Sequence, residues 1–167
     1  MAVNFYAAIP LMAVLAVLQT AVLPRFPIAG LEPQLVFLVA LAWGLLRGLE
    51  EGLVWAFIAG LWIDLFSMTP LGLSSLALVA MAFLASLSEG RVWRSHIILP
   101  LAVALIASVG YHAISAAVLF LSGNAVDWLT VARQVLLPSA LLNAALILPI
   151  YAFVRWLHGL VYPEAVA

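Results

Sequence analysis

The chain has 167 residues, of which 68% are hydrophobic and 8% are charged, whereas a soluble domain is roughly 45–50% apolar and 25% charged. This composition excludes a soluble globular protein and predicts a single integral membrane domain over residues 1–167. The basic residues, 6 arginines, are nearly balanced by 7 acids, so we expect no nucleic-acid partner. Cysteine is absent, which excludes disulfides and thiolate-bound metals.

Proline, glycine and charged residues divide the chain into six apolar runs. They predict an all-α bundle of six transmembrane helices, and the runs are 4–23, 34–47, 52–66, 71–88, 96–121 and 133–157. The first run lacks a convincing signal-peptide cleavage site, so we expect it to stay as an anchor. Runs two and three are short for a hydrocarbon core of roughly 30 Å, so they form either short spans or a re-entrant pair. Short spans are favoured because the charged residues Arg47, Glu50 and Glu51 lie between the two runs.

The arginine positions set the predicted orientation. With six crossings, one face holds Arg47, Arg91, Arg94 and Arg155, and the other holds Arg25 and Arg133. Cytoplasmic loops carry an excess of basic residues, so we expect both termini in the cytoplasm. Asp127 is predicted to cap a short surface helix whose Trp128 and Leu129 lie at the membrane interface.

Tryptophans near the ends of the runs are predicted to form interfacial belts. They are Trp43, Trp93, Trp128 and Trp156.

Small residues recur every fourth position along run three. Gly52, Ala56, Gly60 and Asp64 therefore share one side of a helix, and Gly44 and Gly48 extend the spacing into run two. Small-residue rows let helix backbones approach closely in lipid. The row predicts either packing within the bundle or a docking face for a partner's membrane helix.

Asp64 is a carboxylate at a position where apolar chain would continue, and an acid at a helix centre costs about 2.5–3.5 kcal/mol in lipid. It lies near the end of run three, where the helix dipole disfavours negative charge. Its predicted donors are either Arg25 or the N–H groups at the start of run four, with Thr69 as N-cap and Pro70 as first helical residue. The outer turn of Asp64, Thr69, Pro70 and Gly72 either joins two helices or contacts a partner or ligand.

Run five carries a polar stripe of Ser108, Tyr111, His112 and Ser115, and Asn143 plays a similar part in run six. We interpret Ser108, His112, Ser115 and Asn143 as interhelical hydrogen-bonding residues. One enzymatic alternative is a dyad of Ser74 and His112, as in intramembrane serine proteases. The sequence contains no His-Glu-x-x-His motif and no phosphate-binding loop, so we expect no catalytic residue, metal or cofactor.

An ordered series of motifs resembles the rod shape-determining protein MreD family. The series is Pro33-Gln34, Trp43, Arg47-Gly48-x-x-x-Gly52, Gly60-Leu61-Trp62-Ile63-Asp64-Leu65, Pro70-Leu71-Gly72-Leu73, and Asn143-Ala144 followed by Pro149 and Arg155. The chain departs from the family pattern at Leu49, where proline is frequent, and at Gln34, where Asp or Asn is frequent.

The resemblance implies a non-enzymatic scaffold of the bacterial cell-elongation machinery in the cytoplasmic membrane. Such a scaffold would bind MreC directly. Directly or through MreC, it would link MreB filaments to the polymerase RodA and its class B penicillin-binding protein. The hypothesis is that Gly44, Gly48, Gly52, Ala56 and Gly60 receive the membrane helix of MreC.

A binding protein is the alternative from a different class. Six short helices with both ends inside are also similar in architecture to the vitamin-capturing component of energy-coupling-factor transporters, which would hold a ligand near Asp64 and Trp62.

Overall fold

The computed structural model describes residues 5–25, 31–67, 70–86 and 98–161, and these ranges fold almost entirely into helices. The helices are α1 (Phe5–Val17), α2 (Leu35–Arg47), α3 (Leu49–Phe66), α4 (Leu73–Ser86), α5 (Ile98–Leu121), α6 (Trp128–Thr130) and α7 (Leu137–Val161). A π-helical segment, Leu18–Val22, and a 3₁₀ turn, Leu23–Arg25, continue α1, and the π-helical segment Val131–Leu136 joins α6 to α7. The described ranges thus hold six continuous helical segments, and the predicted all-α class is confirmed.

Three of these segments are long and apolar enough to cross a membrane: Ala8–Arg25, Pro100–Leu121 and Trp128–Gly159. α2 and α4 are apolar but have 13 and 14 residues, which gives each a length of about 20 Å. α3 is longer than expected, because its 18 residues begin at Leu49. Glu50 and Glu51 belong to its first turn, where the helix dipole favours acids. α2 is therefore as short as predicted, whereas α3 extends about 27 Å and is closer to the thickness of a hydrocarbon core than its predicted run was.

The bundle is apolar outside and carries polar groups inside. On α3, Phe57, Leu61 and Leu65 form an exposed apolar face. On the adjoining face of the same helix, Gly60 and Asp64 are buried. A soluble protein has the reverse arrangement, with polar groups outside. Lipid favours apolar side chains at the surface and polar groups inside, where the polar groups can form hydrogen bonds with one another.

α2 lies at the centre of the packing and is mostly buried. It contacts α1, α3, α4, α5 and α7, while α3 also contacts α1 and α4, and α5 also packs against α4 and α7. The starts of α2 and α4 come close to the middle of α5, where Gln34 meets His112 and Ser74 meets Tyr111.

Glycine and aspartate define two of the helix boundaries. Gly48 separates α2 from α3 with φ of 88°, a conformation that glycine adopts readily. Asp127 caps α6 as expected, accepting from the N–H groups of Leu129 and Thr130 at 3.1 and 3.4 Å. The hydroxyl of Thr130 also donates to Asp127 at 2.6 Å, and this bond lowers the pKa of the carboxyl below its usual value.

The predicted tryptophan belts are only partly present. Trp128 and Trp156 are exposed, but Trp43 is buried against Trp55 with ring centroids 4.1 Å apart. Trp43 was expected at the membrane interface because it lies near the end of run two, and the structure instead buries its indole beside Glu51. Trp93 lies outside the described residues, as do Arg91 and Arg94.

Candidate functional site

Asp64 caps helix α4 from the end of α3. Its Oδ2 accepts from the N–H of Gly72 at 2.8 Å and from that of Ser75 at 3.5 Å, and its Oδ1 accepts from Ser74 at 3.0 Å. A buried carboxylate is tolerated when several N–H groups solvate it, and the N-terminal end of a helix dipole favours its charge. Of the two predicted sets of donors, the structure thus gives Asp64 the N–H groups at the start of run four, while Arg25 is exposed.

The turn before α4 differs from the expected one. The helix begins at Leu73 and not at Pro70, because Gly72 has φ of 94° and cannot belong to a right-handed helix. Thr69, the expected N-cap, lies outside the described residues. Among the described residues, the cap of α4 comes from Asp64 of the preceding helix, which agrees with one of the two predicted sets of donors.

Ser74 connects this cap to helix α5. Its hydroxyl lies 3.1 Å from the hydroxyl of Tyr111, and Ser74 is 1% exposed. His112, the expected partner of Ser74 in a protease dyad, bonds Gln34 instead. The structure does not assemble that dyad.

A second polar cluster joins α2, α5 and α7, and we call Gln34, Ser108, His112 and Asn143 the Gln34 cluster. Asn143 Nδ2 donates to Gln34 Oε1 at 3.0 Å and to Ser108 Oγ at 2.9 Å. Gln34 Nε2 lies 3.3 Å from His112 Nε2. Ser115, expected to bond between helices, instead donates to the Tyr111 carbonyl in its own helix at 2.8 Å.

Two glutamines in this region were not among the predicted site residues. Gln34 is the centre of the Gln34 cluster, although the sequence singled it out only as a departure from a family pattern. Gln19 Oε1 accepts from the N–H of Val36 in the first turn of α2 at 2.9 Å. The available signal was that Gln19 interrupts an otherwise apolar run, where a polar amide needs a protein partner.

The small-residue row is used mainly within the bundle. A Cβ added at Gly52 would lie 2.8 Å from Gly44 Cα, and one added at Gly60 would overlap the backbone of Ser75. Gly44 and Gly52 therefore set the approach of α2 to α3, and Gly60 sets that of α3 to α4. Ala56 is 2% exposed, so it also lies inside the bundle.

Part of the row borders a small surface pocket. The small-residue pocket, as we call it, has a volume of about 10 Å³ and is lined by Ala40, Leu41, Gly44, Leu45, Gly48, Gly52, Ala82, Ala85 and Ser86. It lies between α2, α3 and α4, at the end of the bundle that contains Gly48. Three of the five predicted partner-binding residues line it, and Ala56 and Gly60 do not. Its volume suits about one water molecule or a methyl group.

The same end of the bundle holds a buried acid. Glu51 Oε1 accepts from Arg47 Nη2 at 2.6 Å, and its Oε2 accepts from Arg47 Nε at 3.0 Å and from the Trp43 indole N–H at 3.2 Å. This fork matches the geometry in which arginine pairs most strongly with a carboxylate. The interaction fixes the corner between α2 and α3, next to the small-residue pocket.

Comparison with known proteins assigns the chain to a family. Neither a curated protein nor a solved structure matches the chain. A family model described as rod shape-determining protein MreD matches residues 1–159, which includes both polar clusters and the small-residue pocket. The chain therefore belongs to the MreD family of rod shape-determining proteins.

Proposed function

We propose that this protein is a multi-pass scaffold of the cell-elongation machinery in the bacterial cytoplasmic membrane, and that it contributes contacts and no catalysis. The family match over residues 1–159 is the observation that carries the proposal, because that family is described by its role in rod shape. The polar groups of the described residues support it as well. Asp64, Ser74 and Asn143 bond to other helices of the bundle, as expected of residues that hold a scaffold together.

The proposed topology has six crossings with both termini in the cytoplasm. It is supported by six helical segments in sequence and by the larger number of arginines on the side of Arg47 and Arg155. α2 and α4 are each about 10 Å shorter than a hydrocarbon core of roughly 30 Å. Their N-terminal N–H groups consequently need protein acceptors, and Gln19 and Asp64 supply them.

The proposed partner is the membrane helix of MreC, and its proposed contact is the small-residue pocket. In lipid, helices associate through close van der Waals packing at small residues. Gly44, Gly48 and Gly52 supply such a surface on one side, and Ala82 and Ala85 supply it on the other. MreB, RodA and the class B penicillin-binding protein are proposed to associate directly or through MreC.

The test is co-purification with MreC from membranes after filling the pocket. Ala82→Leu should lose MreC, because the larger side chain takes the space of a partner methyl group. Ala152→Leu is the matched control, since Ala152 is exposed on α7 and does not line the pocket. Thermal unfolding of both variants checks that the bundle is intact.

Two outcomes would contradict the proposal at different levels. If Ala82→Leu captures MreC as well as the unsubstituted protein does, the pocket is not the contact. If cells that lack this protein keep their rod shape and the protein captures no MreC, the scaffold role itself is wrong. Stabilisation by a vitamin in place of MreC capture would favour a transporter component.

A further inference from the structure

Hydrogen-bond directions in the Gln34 cluster determine the protonation state of His112. The backbone N–H of Gln34 can only donate, so the atom of Asn143 that faces it at 3.4 Å is the acceptor Oδ1. The other atom, Nδ2, then donates to Gln34 Oε1 at 3.0 Å. With its oxygen held there, Gln34 presents its amide nitrogen to His112 Nε2 at 3.3 Å.

An amide nitrogen donates and does not accept, so His112 Nε2 must be the acceptor and carries no hydrogen. His112 is therefore a neutral imidazole with its hydrogen on Nδ1. We propose that His112 is an acid-sensitive latch between α2 and α5. A proton on Nε2 would set two donors against each other at the 3.3 Å contact with Gln34 and open the cluster.

The groups facing His112 do not offset that conflict. Gln34 on α2 and Asn143 on α7 are neutral amides. Tyr111, its neighbour on α5, lies with its ring 5.4 Å from the imidazole, and the Tyr111 hydroxyl is engaged with Ser74 on α4. None of these groups carries a negative charge that would stabilise the imidazolium formed when Nε2 is protonated.

The nearby acids are committed elsewhere or lie at the surface. Asp64 on α3 accepts from three N–H groups of the α4 start, and Glu32 is exposed before α2. In the part of the chain that the structure describes, neither acid forms an ion pair with His112. A protonated His112 therefore has no carboxylate in contact to stabilise it.

Protonation of His112 would affect α2. In the proposed arrangement His112 lies within the membrane, nine positions before the end of α5 at Leu121, so a proton has to travel about 14 Å along the helix to reach it. The same cluster accepts the Gln34 N–H at the N-cap of α2. Opening the latch would therefore loosen the start of α2 and its contact with α7.

The sign of the pH effect follows from linkage. A free imidazole takes up a proton near pH 6.5. Well above that pH, both the closed and the open cluster hold a neutral His112. When the pH falls below the pKa of the free imidazole, His112 binds a proton in the open cluster and not in the closed one. The closed form therefore loses stability relative to the open form at low pH.

The first experiment measures melting temperature in lipid nanodiscs at about pH 7.5 and about pH 5. The unsubstituted protein should lose several degrees at the lower pH. His112→Gln removes the titrating group and should abolish most of that loss. Gln34→Glu supplies a carboxylate to the protonated imidazole and should reverse its sign, while His158→Gln at the opposite end of α7 should leave the loss in place.

The second experiment uses ¹⁵N-histidine NMR of the unsubstituted protein in the same nanodiscs, so it needs no variant to fold. A neutral His112 with an unprotonated Nε2 at neutral pH supports the latch, and a protonated Nε2 overturns it. The latch is also overturned if His112→Gln retains the full acid loss, or if Gln34→Glu loses stability at low pH as the unsubstituted protein does.

Discussion

At the residue scale, Asp64 shows how a membrane bundle holds a charge that lipid would reject. It is 3% exposed, and backbone N–H groups at the start of α4 donate to both of its carboxylate oxygens. The interaction is mutual, since the first N–H groups of α4 have no partner within their own helix. Asp64 and the start of α4 therefore each satisfy the other's otherwise unpaired polar groups.

Replacing Asp64 by alanine should destabilise the protein by about 1–3 kcal/mol, because buried N–H groups then lose their acceptor. Asp64→Asn should cost less, since its remaining oxygen still accepts one bond. Asp127→Ala is the control, because it removes a cap that is exposed to solvent. Thermal unfolding in detergent measures all three, and equal melting temperatures for Asp64→Ala and Asp127→Ala would contradict this account.

At the element scale, the glycines set distances between helices. The backbone of α3 approaches that of α4 most closely where Gly60 meets Ser75, and it approaches α2 at the pair of Gly44 and Gly52. These contacts lie one after another along α3, so one helix serves as the packing surface for two others. The glycines allow α2 and α4 to lie close to α3. Hydrogen bonds to Asp64 and within the Gln34 cluster then hold the starts of α4 and α2 in place.

A methyl group at Gly60 should destabilise the bundle by about 1–3 kcal/mol, because it would overlap the α4 backbone and push the helices apart. Gly44→Ala should cost less, since its Cβ would lie 3.2 Å from Gly52 Cα. Gly159→Ala has open space around it and should leave stability unchanged or raise it slightly, given the helix propensity of alanine. A chemical-denaturation series would disprove the account if Gly159→Ala cost as much as Gly60→Ala.

The corner between α2 and α3 gives a second prediction at this scale. Arg47→Met should destabilise the protein by about 1–3 kcal/mol, because Glu51 would remain largely buried without its cation. Adding Glu51→Met should recover much of that loss, since no unpaired charge would then remain. A double-mutant cycle measures the coupling, and additive effects of the two substitutions would show that the pair is not coupled.

Sequence patterns predicted the helices better than the contacts between them. Gly60 and Asp64 were placed correctly on one helix face because the spacing of four residues is a local property. Pro70 was misplaced because the positive φ of Gly72 delays the start of α4 to Leu73. Trp43 was misplaced because its partner Glu51 lies across the corner at Gly48. Gln34 and His112 lie 78 positions apart in the chain, and a single sequence holds no signal for such a pairing.

At the scale of the whole molecule, the helices differ in length. α2 and α4 extend about 20 Å, whereas the 24 residues of α5 extend about 36 Å. Tyr111 and His112 on α5 contact the starts of α4 and α2, so the last part of α5 continues past both of them. The polar clusters consequently lie well below the end of the longest helices, and the proposed arrangement of six crossings would place them within the membrane.

The absence of cysteine allows a direct test of that arrangement with single introduced cysteines in intact cells. With both termini in the cytoplasm, cysteines at Glu32 and Asn124 should react with a membrane-impermeant maleimide. Cysteines at Glu50 and Gly159 should react only after the membrane is permeabilised. All four positions are exposed, so differences in labelling report the side of the membrane and not burial. Labelling of Glu50 from outside would show that α2 and α3 are not two full crossings, and labelling of Gly159 from outside would reverse the proposed orientation of α7.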